Sequence, residues 1–406
     1  MTLSRCILPL FLGLLVISGL ATPLAFAAEP AQLVRDYWPT DAWQTSTPED
    51  EEMNSTKLNE MLNYLENESA LTPKSTIIVK NGYVVLEEYF NPTYDENRTV
   101  DIYSCTSSVI SALIGIAIDE GYIANTSLKV LDFFPERVRA RYGDDMWQMT
   151  IEHLLTNTAG FSWEENSNPT LMKASGDWIQ YVLDRAMIQD PGVSFEYNSA
   201  LSHVLSGIIE VTTGVSTLEF AQEHLFDPLG ITDVEWSTDV QGITDGTTGC
   251  ELSTPDMAKF GYLYLNNGTW DEQQIIPSDW VNISRQSHAF VNSIKDYGYL
   301  WWIYRGVGAY NAVGFWSHVI SVIPEHDLVV VVVGSDSSGN FLRDQFKHAL
   351  TEWIIPSVED YIPVDTTNTT TSVPPPSPLD IDAMSLIAIS GLVAVVVTAV
   401  ILIKRR

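Results

Sequence analysis

The sequence predicts an α+β fold, a mixed sheet built from both ends of one domain with a helical region inserted between. Two segments supply the strands. Thr76–Tyr89 holds two β-rich runs around Asn81-Gly82, a strong hairpin signal. Near the other end, Val319–Ile323 and Leu328–Val333 flank the turn Pro324-Glu-His-Asp327. The third observation is the stretch between them, where helical spacing dominates. Strands at the ends and helices in the middle argue for one sheet with flanking helices.

The elements follow in order. Leu58, Met61, Leu62 and Leu65 have helical spacing. After the hairpin, Val109–Ile118 is apolar on every side apart from Ser111 and small residues, the mark of a buried helix. Ser104 stands at its start, a good N-cap or first-turn residue, and Gly121 at its stop. A serine there faces free backbone N–H groups and the positive dipole end, which favour an oxyanion. Short helices are expected over Thr150–Leu155, Trp178–Met187, Leu218–Leu229 and Thr254–Leu265, with a last one over Phe341–Trp353, and Phe195-Glu-Tyr-Asn-Ser199 leads into an apolar helix that runs to Thr213-Gly214.

The chain has 406 residues and a net charge of −31, which excludes a nucleic-acid surface. Arg5, the apolar run Ile7–Leu20 and Ala25-Phe-Ala27 read as a secretory signal peptide, with an uncleaved signal anchor as the alternative. Met384–Ile403 is long and apolar enough to span a membrane, and Lys404-Arg-Arg406 places its end in the cytoplasm. Thr366–Thr371 and Pro374–Pro378 make an extended stalk before it. The expected organisation is a signal peptide (1–27), a lead-in segment (28–56), a folded domain (57–358), a stalk (359–383), a transmembrane helix (384–403) and a cytoplasmic tail (404–406). That is a single-pass type I protein of the cell membrane, its domain outside the cytoplasm. Sequons at Asn54, Asn67, Asn97, Asn125, Asn267, Asn282 and Asn368 agree with export and with a glycoprotein. Cys105 and Cys250 survive signal removal, and they form either a disulfide or two separate buried thiols. The seven histidines show no metal spacing, and no metal or cofactor is expected.

Six pieces in order, from Ser111–Tyr122 and Thr150–Phe161 through Pro191–Ser199, Pro228–Ile231 and Leu252–Leu263 to Val322–Val331, resemble the serine β-lactamase-related family. It includes class C β-lactamases, penicillin-binding DD-peptidases and hydrolases like 6-aminohexanoate-dimer hydrolase. The resemblance implies a β-lactamase/transpeptidase-like sheet domain, an all-helical lobe, and an active site between them.

The family's chemistry uses three motifs. In S-x-x-K the serine attacks a carbonyl and the lysine, one helical turn on, assists its deprotonation. In Y-x-N or Y-x-S the tyrosine moves the proton. Near the last strands the backbone supplies an oxyanion N–H. Tyr197-Asn198-Ser199 matches the second motif, with Ser199 expected to bind substrate. Ser104-Cys-Thr-Ser107 matches the first in part: Ser104 is the expected nucleophile, and Ser107 stands at the lysine position. None of the nine lysines has a serine three residues before it, so no S-x-x-K exists elsewhere in the chain. At the third motif, where relatives have a run like G-x-G-G-Q, this chain has Gly314-Phe-Trp-Ser-His318. There Phe315 is the expected backbone oxyanion donor, Gly314 and Trp316 are expected to line the substrate site, and Trp316 and Ser317 replace glycines.

A neutral hydroxyl at Ser107 is no base at pH 7. Without a cation, Tyr197 should also stay protonated, since free tyrosine titrates at about 10. His318 is a possible substitute base, its alternative being a surface or strand-end histidine. Two functions remain open. One is a membrane-anchored serine hydrolase, intact or impaired, acting on an ester, amide or lactam through an acyl-enzyme on Ser104. The other is an inactive family member that binds a small molecule, peptide or partner in the same cleft.

Overall fold

The computed structural model describes residues 35–67, 72–335 and 341–358, with side chains from residue 345 on in the last stretch. The expected signal peptide, the start of the lead-in, the stalk, the 384–403 helix, the tail and the Asn368 sequon lie outside the described residues. Among the described residues no single helix is long and apolar enough to cross a membrane.

The sheet has eight strands: β1 Ser75–Lys80, β2 Tyr83–Tyr89, β3 Ala289–Phe290, β4 Lys295–Tyr297, β5 Trp302–Tyr304, β6 Ala309–Gly314, β7 His318–Ile323 and β8 Leu328–Val333. Their order across the sheet is β2-β1-β8-β7-β6-β5-β4-β3. The expected α+β class holds, and the two ends of the domain meet in the middle, where β1 pairs with β8 from Ser75 opposite Val333 to Lys80 opposite Leu328. Every pairing in this sheet is antiparallel, so the sheet itself is not mixed. Tight turns join most of the neighbouring strands, and hairpins force that arrangement. Asn81 (φ 55°) and Gly82 (φ 94°) both sit in the left-handed region, as a two-residue hairpin turn requires.

Leu328–Val333 shows why the core is double. Val329, Val331 and Val333 join one apolar cluster, and Leu328, Val330 and Val332 join another on the opposite face. Side chains alternate along a strand, so a continuous valine run means both faces are covered. One face packs against α1 (Ser55–Asn67) through Leu58, Met61 and Leu65, and against Phe346 of α5 (Phe341–Ala349). The other faces the helical region: α2 (Cys105–Asp119), α3 (Leu201–Thr213) and α4 (Thr254–Leu265).

The apolar helix read from the sequence is α2, and every residue from Cys105 to Ala117 is buried. The helix predicted over Trp178–Met187 ends at Leu183, and that over Leu218–Leu229 spans Thr217–Ala221 before a wider turn to Phe226. Of the lead-in, the described part runs along the domain. Arg35 makes a two-pronged contact with Asp327 at 2.6 and 2.7 Å, and Trp38 and Trp43 pack on Tyr262.

Candidate active site

The site is built around the start of α2. Asp101 accepts hydrogen bonds from the backbone N–H groups of Tyr103 and Gly249, each at 2.8 Å. That clamp holds Tyr103 at φ 50°, a left-handed conformation that is costly for a bulky residue. The Tyr103 ring lies edge-on to Phe315 and His318, which ties the helix start to the β6–β7 turn. Ser104 follows as the N-cap residue, but its hydroxyl caps nothing. It meets the Tyr197 phenol instead. The serine therefore occupies the predicted position without spending its side chain on the helix.

The end of β6 comes equally close. A Cβ on Gly314 would lie 2.4 Å from the Ile102 carbonyl oxygen and 3.3 Å from Cys105 Sγ, so only glycine lets strand and helix approach this way. Phe315 comes next and is half exposed. Among the described turn and loop hydrogen bonds, neither the Ser104 nor the Phe315 amide donates one, which leaves both for an acceptor from outside. Trp316 (φ 61°) and Ser317 (φ 72°) are left-handed. These are the two positions where the family pattern has glycine, so the turn keeps a glycine geometry with side chains added. Trp316 is half-buried and packs edge-on to Phe315.

Tyr197 is held from three sides. Asn157 Oδ1 accepts from the Asn198 N–H at 2.8 Å, and the Asn157 carbonyl accepts from Glu196 N at 2.9 Å. The Tyr197 ring packs on Trp302 with centroids 5.5 Å apart. Lys295 Nζ also lies against the Trp302 ring, 4.1 Å from its centroid. Enclosure of its hydroxyl end pushes the Tyr197 phenol well above its usual range, and the charge of Glu165 pushes it further, while the Ser104 contact works the other way. At neutral pH Tyr197 is a phenol, able to donate a proton and unable to act as a phenolate base.

The structure links the Ser107 hydroxyl to the Ser199 backbone through Ser202. Ser107 Oγ donates to Ser202 Oγ at 3.1 Å, and Ser202 Oγ donates to the Ser199 carbonyl at 2.7 Å. The lysine position is thus filled by a buried hydroxyl bonded towards the tyrosine motif. His318 is buried at the head of β7, with Nδ1 3.0 Å from the Phe315 carbonyl. Burial lowers its pKa to about 4. It is a strand-end histidine held by its own turn, and among the described hydrogen bonds its ring contacts Phe315 and not Ser104. Of the two readings of Cys105 and Cys250, the structure has the second: both are separate buried thiols, with no bridge between them. Cys105 Sγ points to the His318 carbonyl at 3.6 Å. Burial pushes both thiols up, away from the thiolate that disulfide exchange needs.

Sequence reasoning missed four groups at this site. Asp101 and Asn157 act on the backbone of the two motifs, Trp302 supports the tyrosine, and Glu165 places a carboxylate beside it. Glu165 Oε2 accepts from Trp163 Nε1 at 2.7 Å and from Ser199 N at 3.2 Å. Asn157 lies inside the Thr150–Phe161 piece that carried the resemblance, so it could have been singled out. Nothing in the local sequence marks Glu165.

The model of the family described as Beta-lactamase matches residues 74–350. An uncharacterised protein of Alkalihalophilus pseudofirmus is 25% identical over 312 residues, covering 66% of this chain and 87% of its own length. The 6-aminohexanoate-dimer hydrolase of Paenarthrobacter ureafaciens is 23% identical over 295 residues, covering 67% of this chain and 75% of that protein. Among solved structures, a candidate 6-aminohexanoate-dimer hydrolase from Bacillus anthracis superposes with a TM-score of 0.64 at 19% identity, over 80% of this chain and 88% of its own. It shares the fold. With a family match across most of the domain, and Ser104 and Tyr197 facing each other at the head of the buried helix, the chain belongs to the beta-lactamase family.

Proposed function

We propose that this chain is a serine hydrolase that cleaves an ester, amide or lactam through an acyl-enzyme on Ser104, slowed by the loss of the lysine. The observation that carries the reading is the Ser104 hydroxyl, which is free of any capping role and in contact with the Tyr197 phenol. Ser104 Oγ attacks the substrate carbonyl. The Ser104 and Phe315 amides receive the oxyanion, a geometry worth about 10²–10³ in rate per donor. Tyr197 protonates the leaving group, and water then releases the acyl group. Gly314, Trp316 and Ser199 border the acyl site. Likeness to a 6-aminohexanoate-dimer hydrolase supports an amide among the candidate bonds. Loss of general-base help costs about 10²–10⁴ in rate, which sets the expected slowness.

The second reading, an inactive member that binds a ligand in the cleft, is supported by Ser107. Its buried hydroxyl can neither take a proton nor lower the Tyr197 pKa. For location, the apolar 384–403 segment, the stalk before it and the leader support a type I protein anchored in the cell membrane with its domain outside the cytoplasm. The sequons at Asn54, Asn67, Asn97 and Asn125 are exposed, which supports glycosylation.

The test is labelling of the purified chain with a serine-reactive fluorophosphonate and a fluorescent penicillin, followed by mass mapping. The hydrolase reading expects an adduct on Ser104 that disappears in Ser104→Ala. Absence of any adduct on Ser104 supports the binding reading.

A further inference from the structure

The proposed hydrolysis needs a proton acceptor, and the groups of the usual set do not supply one. Ser107 is a hydroxyl spent on Ser202, Tyr197 is a neutral phenol, and His318 is bonded to Phe315. One carboxylate does bear on the site. Glu165 is fixed through Oε2 by Trp163 Nε1 and by the backbone N–H of Ser199, the last residue of the tyrosine motif. Neither of these bonds uses Oε1. The residue reaches solvent, so a water can join it to the tyrosine. Its charge acts on the Tyr197 hydroxyl and on Tyr297 behind it.

We propose that Glu165 takes the proton that the absent lysine would have taken, receiving it through the Tyr197 hydroxyl. This deepens the hydrolase reading and rests on it. As the bond from Ser104 Oγ to the substrate carbon forms, the carbonyl π electrons move to the oxygen. The Ser104 proton passes to Tyr197 Oη, and the Tyr197 proton passes through one bridging water to Glu165 Oε1. When the tetrahedral intermediate collapses, the proton on Glu165 returns through Tyr197 to the leaving group. Tyr197 stays a phenol before and after each transfer, so the relay needs no phenolate. Enclosure of the carboxylate end raises the Glu165 pKa, and its hydrogen bonds from Ser199 and Trp163 work against that. A raised carboxylate is a stronger base and stands nearer to neutrality, where proton transfer is most effective. The groups that face it are Tyr197, Tyr297, Ser199 and Trp163, with Ser104 and Cys105 acting on the far side of Tyr197.

The test compares pH profiles of kcat/KM for p-nitrophenyl butyrate with the full chain in detergent, as wild type, Glu165→Gln, Glu165→Asp and Ser104→Ala. The expected wild-type profile rises with pH along a single acid limb lying above the ordinary range of a glutamate. Glu165→Gln should lose about 10²-fold in kcat and lose that limb, with KM little changed. Glu165→Asp should keep a limb and recover at least about tenfold over Gln. A Gln variant that keeps the limb, whatever its rate, overturns the relay while leaving the hydrolase reading intact. A wild type no faster than Ser104→Ala overturns both.

Discussion

Ser107 Oγ donates to Ser202 Oγ across 3.1 Å, so the position where the family pattern has a lysine is tied into the tyrosine motif by hydroxyls alone. Both residues are buried, Ser107 at 6% and Ser202 at 1% exposure. No cation is among the groups that shift Tyr197, which agrees with a phenol held neutral.

Ser107→Lys should restore that cation. A buried lysine beside Tyr197 favours its phenolate when charged, and its neutral amine supplies a second proton acceptor. Ester hydrolysis should rise by about 10²-fold, and the acid limb of the pH profile should change position. The variant also loses the bond to Ser202 and must bury a longer chain, so its thermal midpoint should fall. Turnover of p-nitrophenyl butyrate and a thermal melt measure both effects. An unchanged rate in a folded variant would place the defect elsewhere, the turn at Trp316 being the next suspect.

Ser317→Gly should stabilise the protein. Ser317 has φ 72°, is 3% exposed, and its hydroxyl has no hydrogen-bond partner among the described residues. Left-handed backbone costs an ordinary residue roughly 1–2 kcal/mol, and an unpaired buried hydroxyl costs about 1–3 kcal/mol. Glycine removes both, against a small loss from its greater freedom when unfolded. The expected gain is about 1–3 kcal/mol in urea unfolding at unchanged m-value. A lower midpoint would show that Ser317 makes a contact that offsets its geometry.

His318 should make the fold acid-sensitive in a defined window. Its folded pKa of about 4 lies below the ordinary 6.5 because burial disfavours the imidazolium. Between those values the unfolded chain binds more protons than the folded one, so stability falls as pH falls. The contribution is fully present above about 6.5 and is lost on going down to about 4, amounting to about 3 kcal/mol. Many carboxylates titrate nearby, so the informative quantity is wild type minus His318→Gln, measured by urea unfolding at several pH values. That difference should shrink as the pH drops through the window. A constant difference would mean that His318 is charged in the folded state.

The parts of this molecule that were legible in the sequence are those whose physics is local. Asn81-Gly82 announces a hairpin because both residues tolerate positive φ, and Val329–Val333 announces a covered strand because nothing polar interrupts it. The helix starting at Ser104 was legible because apolar residues surround it on all sides. The strands from Ala289 to Tyr304 were not, since two- and three-residue pieces such as Lys295–Tyr297 and Trp302–Tyr304 carry too few residues to show a period. Those strands bring Tyr297 and Trp302 to the site, so its aromatic wall was hidden with them. Glu165 was hidden for another reason. Its role depends on a contact with Ser199, 34 residues away, that no spacing rule encodes.

Asn157 gives a test of how far the tyrosine motif depends on its support. The residue is 1% exposed, stands at φ 55°, and takes the Asn198 N–H on its side chain at 2.8 Å. Asn157→Gly keeps the backbone conformation and removes the side-chain amide, which takes away its contact with the Tyr297 hydroxyl and leaves the buried Asn198 N–H unpaired at a cost of about 1–3 kcal/mol. Asn157→Ala loses the same bond and adds the left-handed penalty of roughly 1–2 kcal/mol, so it should be the less stable of the two by about that amount. Both variants release the loop that aims Tyr197 at Ser104. A displacement of about 1 Å costs on the order of 10²-fold in rate when it misaligns reacting groups, so kcat should fall in both variants while KM moves little. Equal activity in Asn157→Gly and wild type would mean that packing on Trp302 and the Glu196 N–H bond to the carbonyl of residue 157 suffice to hold Tyr197 in place. Equal stability of the Gly and Ala variants would mean that residue 157 can leave the left-handed region without disturbing the fold.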